Sequence, residues 1–145
     1  MMKLISLFSR MCLFLMLSLS LSYASVAQSL DVIVVASASS DLSNLSRSEV
    51  RQIFMGGTMS RKYDAVTFPV GDAARIQFNT KVIGLTESRI QSYWAQLLFT
   101  GRSKPPKEFT DVTALLEYVV NTENAVGYVP ADTRLPDNVV VLYQR

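Results

Sequence analysis

Asp31 to Ala36 reads Asp-Val-Ile-Val-Val-Ala, and after the aspartate every position is apolar and most are β-branched. Successive side chains of a strand point to opposite faces. A run with no polar alternation is therefore a buried strand, which other elements have to cover. The rest of the chain supplies that cover. Residues 37–44 (Ser-Ala-Ser-Ser-Asp-Leu-Ser-Asn) form a small polar loop. Ser46 and Glu49 then make a capping box, with Leu45 and Val50 placed as a hydrophobic staple. The helix they start is predicted to run through Val50, Ile53 and Phe54 and to stop at Gly56-Gly57.

Further along, 57–65 is a polar connection and Val66 to Val70 (VTFPV) reads as a short strand. Asp72 is placed to cap a helix over 73–83 that ends at Gly84. Thr86 is placed to cap another, with Ile90, Trp94, Leu97 and Leu98 on one stripe and a stop at Gly101. Arg102 to Lys107 is a basic loop holding Pro105 and Pro106. Thr110 or Asp111 starts a fourth helix, with Val112, Leu115, Leu116 and Val119 at helical spacing. Val126–Val129 and Val139–Tyr143 read as closing strands. The order β-α-β-α-α-α-β-β implies an α/β layer structure with a mixed sheet flanked by helices.

The N-terminus is of a different kind. Lys3 and Arg10 precede the apolar run Met11–Leu21, and Ser25 and Ala27 stand three places and one place before Gln28. Together these describe a cleaved secretory signal over 1–27 and a single exported domain over 28–145. The apolar core, ~11 residues, falls short of the roughly 20 that a membrane span needs. Cys12 lies too early for a lipoprotein cleavage motif. Without Lys3 and Arg10 the basic and acidic residues balance at 12 each, which argues against a basic nucleic-acid binder. The chain has no His, and its one Cys is Cys12. The exported domain therefore has no disulfide, no thiol nucleophile, no His-based triad and no Cys or His metal ligand. It also has no Walker-type loop and no Ser followed by Lys at the third position. Its acids are scattered, so no enzyme and no cofactor is expected.

In α/β sheets, ligands sit beyond the carboxyl ends of strands and against helix N-termini. Two places qualify: the loop Ser37 to Ser40 after the first strand, and the turn Gly71 to Arg75 after the second. Ser37, Ser39 and Ser40 are either turn formers or hydroxyl donors to a ligand. Asp72 is either a cap or a ligand contact. Arg75 lies either on a solvated helix face or against an oxyanion. Arg102, Lys104 and Lys107 form either a solvated loop or a guide for an anion or a partner. Tyr93 and Trp94 lie on a helical stripe and fit core packing better than ligand stacking.

Four segments carry a resemblance: Leu45-Ser-Arg-Ser-Glu-Val-Arg-Gln-Ile-Phe-Met-Gly56, Phe68-Pro-Val-Gly-Asp-Ala-Ala-Arg-Ile-Gln-Phe78, Tyr93-Trp94 with Phe99-Thr100-Gly101, and Val119 to Val129 (VVNTENAVGYV). In this order they resemble the substrate-binding proteins of phosphate ABC transporters, of the type II periplasmic binding protein fold. The resemblance implies one periplasmic-binding-protein-like lobe of a family whose full members clasp their ligand between two. It also implies a periplasmic location, non-covalent binding of phosphate or another small oxyanion, and an ABC permease or sensor domain as partner. The ligand would sit at Gly71, Asp72, Ala73, Ala74 and Arg75, facing Ser37, Ser39 and Ser40. In the family the turn reads Ser-Gly-Thr, often followed by Arg. Here Asp72-Ala73-Ala74 takes those places, which removes both hydroxyls and adds a carboxylate, while Arg75 matches. The second expectation is therefore an envelope protein-interaction or regulatory module that reuses the fold without binding an anion.

Overall fold

The computed structural model describes residues 31–144. The expected signal segment and its cleavage site lie outside the described residues. Five strands and four helices follow in the order β1 (Val32–Ser37), α1 (Arg47–Phe54), β2 (Asp64–Thr67), α2 (Ala73–Gln77), α3 (Glu87–Phe99), β3 (Lys107–Glu108), α4 (Val112–Asn121), β4 (Ala125–Pro130) and β5 (Val139–Gln144). The sheet order is β3-β2-β4-β1-β5. β1 runs antiparallel to β4 and β5, whereas β2 runs parallel to β3 and β4. The sheet is therefore mixed, and all six residues of β1 are buried.

The capping box forms as read: Glu49 N–H donates to Ser46 Oγ, and Ser46 N–H donates to Glu49 Oε2 at 2.7 Å. Leu45 and Val50 are both buried beside it. Gly56, at φ 71°, takes the left-handed conformation just past the end of α1. Asp111 caps α4 by accepting from Ala114 N–H at 2.9 Å. Thr86 precedes α3 but makes no side-chain cap bond.

Helices cover both faces of the sheet. On one face α4 approaches β4 so closely that a Cβ on Gly127 would stand 2.8 Å from Leu115 Cδ2 and 3.0 Å from Val66 Cγ2. On the other, Tyr128 lies stacked on Phe78 (centroids 3.9 Å apart, planes 4° apart) and meets Phe54 and Phe68 at 5.8 and 5.6 Å.

Three elements differ from the sequence expectation. β2 ends at Thr67 rather than Val70, because Pro69 has no N–H to give a ladder. The helix expected over 73–83 is α-helical only to Gln77 and widens to π geometry over Phe78–Ile83. Gly84 N–H there bonds Asn79 O at 2.7 Å, and Arg47 Nε donates to Val82 O at 2.7 Å. Arg51 satisfies the neighbouring Ile83 carbonyl. Finally, Lys107, the last residue of the expected basic loop, and Glu108 pair with β2 as β3, too short a strand to leave a periodic signal.

Candidate functional site

The turn after β2 is built by Gly71, at φ 92°, and by Asp72, which caps α2. Asp72 Oδ1 accepts from Ala74 N–H at 2.8 Å and from Arg75 N–H at 3.1 Å. Two amides that could face an anion are thus taken by a carboxylate of the chain itself. Ala73 is exposed, Ala74 is buried, and α2 spans only five residues.

Arg75 points inward. It is 6% exposed, so it does not lie on a solvated face. Its Nε and Nη2 grip Glu87 at 3.1 and 2.7 Å, and its Nη1 donates to Phe68 O and Glu108 Oε1, both at 2.7 Å. Glu87 also accepts from Asn79 at 2.7 Å and Gln91 at 2.8 Å. One guanidinium is thus clasped by two carboxylates, with a third carboxylate at Asp72. Burial alone would pull the Arg75 pKa down, but its bonds to Glu87 and Glu108 hold it above its ordinary value. Burial would likewise raise Glu87. The hydrogen bonds from Arg75, Gln91 and Asn79, with the Arg75 charge, outweigh it and keep the carboxyl low. A dianion brought to this turn would find its amides occupied, its cation neutralised and a surplus of negative charge.

The serine loop lies elsewhere. β1 is antiparallel to β4, and β4 is parallel to β2, so the carboxyl ends of β1 and β2 are at opposite ends of the sheet. Ser37–Ser40 therefore does not face Gly71–Arg75, and this corrects the two-sided site expected from the sequence. The sequence shows that both segments follow strands but not that the strands run opposite ways. The serines build their own turn. Ser37 is buried, its Oγ lies 2.8 Å from Ser39 Oγ, and Ser40 Oγ accepts from Leu42 N–H at 3.3 Å. The next residue, Asp41, accepts from Tyr63 OH at 2.7 Å and pairs with Lys62, just ahead of β2.

Trp94 is 7% exposed and packs as expected, while Tyr93 donates its OH to Met55 O at 2.6 Å. At the end of α3, Leu98 is 53% exposed and Phe99 95%, followed by Thr100, Gly101 and Arg102. The basic loop from Arg102 to Lys107 closes one side of a cleft of about 260 Å³ along the β2 edge. Two acids that decide the chemistry of the turn, Glu87 and Glu108, were not singled out in the sequence. They lie 12 and 33 residues from Arg75, beyond any local motif. Among the described residues no helix is long and apolar enough to cross a membrane.

The fold is similar to that of an ABC-type phosphate transport receptor from Vibrio cholerae, with a TM-score of 0.58 and 17% sequence identity. The match covers 77% of this chain and 45% of that receptor, so the chain spans less than half the receptor's length. The α/β sheet with its flanking helices is thus a periplasmic-binding-protein-like domain in fold. No protein-family profile matches the chain, and no curated protein matches it in sequence.

Proposed function

We propose that this chain is a non-catalytic binding module of the bacterial envelope that keeps one receptor-type lobe but does not bind phosphate at the Gly71–Arg75 turn. The observation that carries this reading is Arg75: the one cation of the turn is buried and already held by Glu87 and Glu108. In this reading the module is exported by its signal segment and acts by docking on another envelope protein. The near-complete exposure of Phe99, with Leu98 beside it, supports the tip of α3 as the docking point, since buried aromatic anchors dominate the energy of protein interfaces.

The test is calorimetric titration of residues 28–145 with phosphate at low salt, with sulfate as control. The expected result is no saturable heat at millimolar phosphate. A saturable signal near micromolar, about −8 kcal/mol, would return the chain to the alternative reading, a solute-binding protein for phosphate or another oxyanion serving an ABC permease. The docking half is tested by a photo-crosslinking residue placed at Phe99 or, as control, at Gln91. A discrete adduct from position 99 alone is expected, and equal labelling from both positions overturns it.

A further inference from the structure

We propose that the cleft between the β2 edge and the 102–107 loop is a binding site for a small organic monoanion with an apolar or aromatic body. None of residues 71–75 lines the cleft, although it shares Trp94, Pro105 and Pro106 with a smaller pocket that Arg75 lines. The cleft's volume of about 260 Å³ is close to the lower end of small-molecule pockets. Its exposed lining is more polar than apolar, with Ser60, Tyr63 and Ser103 among the polar residues. Trp94, Tyr118, Pro105 and Pro106 add ring and apolar surface, and Lys104 and Lys107 supply positive charge.

The lysines are what set this cleft apart. Four lysines fall within the described residues. Lys62 is paired with Asp41, and Lys81 with Asp31 at 2.8 Å. Lys104 and Lys107 have no carboxylate partner among the described residues, and both line the cleft. Lys107 Nζ is held 4.4 Å from the Tyr118 ring centroid and 5.0 Å from that of Phe109. Cation–π contact orients an ammonium without neutralising it, so the charge remains available to an anion. The single-stranded reach of β3 adds a further feature. β3 pairs only with Val66 and Thr67, which leaves the Asp64–Ala65 edge of β2 facing the cleft without a strand neighbour on that side.

Charge and lining together narrow the ligand class. Asp64 is also among the residues that line the cleft. Two ammonium groups against one carboxylate leave a single net positive charge. That balance favours a monoanion, such as a carboxylate, over a phosphate dianion, whose second charge would meet Asp64. The rings in the lining favour an anion with a flat apolar body, which gains from ring contacts as well as from ion pairing.

Trp94 is the only tryptophan in the chain and lines both the cleft and the smaller pocket beside it, so its fluorescence reports on this region and the lysine variant assigns a response to the cleft. Residues 28–145 are titrated with benzoate at low salt, with inorganic phosphate and benzyl alcohol as controls. The expected result is a saturable Trp94 response to benzoate, weaker by about tenfold or more in the Lys104→Gln, Lys107→Gln double variant and weakened by added salt. Both lysines are exposed, and circular dichroism of the variant checks that its fold is retained. A benzoate response unchanged in the double variant overturns the proposal. So does an equal response to benzyl alcohol, tighter binding of phosphate, or no response to benzoate at tens of millimolar. Calorimetry reads phosphate bound anywhere in the chain, so the lysine double variant separates the two readings: phosphate heat that survives in it belongs to the Gly71–Arg75 turn, and heat lost in it belongs to the cleft.

Discussion

Arg75 has been drawn from the turn into the interior, where its contribution is to stability. Arg75→Gln leaves Glu87, only 24% exposed, facing Glu108 without a countercharge. Breaking a buried pair costs about 3–5 kcal/mol. The half-exposed Glu108 side chain reduces that, so a loss of about 2–4 kcal/mol is expected in urea unfolding. Arg75→Lys should fall between, because an ammonium cannot reproduce the two-toothed grip on Glu87. A loss under 0.5 kcal/mol for Arg75→Gln, on the order of a surface substitution, would show that the cluster is not structural. Glu87 adds a pH dependence. Its folded pKa lies below the ordinary 4.5, so its stabilisation is present above pH 4.5 and is lost as pH falls through the folded value. Asp72 is the milder case. Asp72→Ala should cost about 1 kcal/mol for the lost cap, whereas Asp72→Ser keeps a cap and should still bind no phosphate, because Arg75 stays engaged. Micromolar phosphate binding by Asp72→Ser would contradict that. The capping role of Asp72 was legible from its place before a helical segment. The destination of Arg75 was not, because the side chains that capture it come from α3 and β3.

Where a helix meets the sheet, Gly127 sets the distance. Its backbone needs no left-handed conformation, so the glycine is required by space alone: Leu115, Val66 and Val119 all lie within 3.3 Å of where a Cβ would stand. Gly127→Val is expected to cost about 1–3 kcal/mol or more by overpacking, read as a lower unfolding midpoint with an unchanged denaturant slope. Gly127→Ala should cost less, since the nearest atoms are ends of side chains that can turn aside. An equal or greater stability for Gly127→Val would mean that α4 is free to move off the sheet. Elements with local signals were read closely from the sequence. The Ser46–Glu49 box fixed α1, Asp111 began α4, and the apolar runs marked β1, β4 and β5. What escaped was set by contacts across the chain. The π segment is finished by Arg47 and Arg51 from α1, and β3 exists only because β2 offers it an edge.

The direction of the strands relates the local elements to the position of any site. Had β1 run parallel to β2, the Ser37–Ser40 turn and the Gly71–Arg75 turn would have shared one end of the sheet. The antiparallel order instead separates them and leaves Tyr128 of β4 to bind the layers together. Its ring is wholly buried among Phe54, Phe68 and Phe78, and its OH lies 2.7 Å from Thr67 Oγ1. Burial pushes the Tyr128 pKa up to about 12, against an ordinary value of 10.0, despite the opposing bond to Thr67. In the folded state the phenol therefore keeps its proton while in the unfolded chain it loses it. The unfolded state binds fewer protons over that interval, so stability falls with rising pH. This contribution is complete below pH 10 and is lost as pH rises towards 12. Each unit of such a difference is worth up to about 1.4 kcal/mol. Tyr128→Phe has no phenol to ionise. At pH 8 it should be less stable than wild type by about 1–2 kcal/mol, for the bond lost to Thr67. Because wild type alone carries the alkaline loss, that gap should narrow or reverse between pH 10 and 12. Urea midpoints of both proteins across this range test it. A gap that stays constant would mean that Tyr128 ionises as readily in the fold as in water, and that the layer it occupies admits solvent.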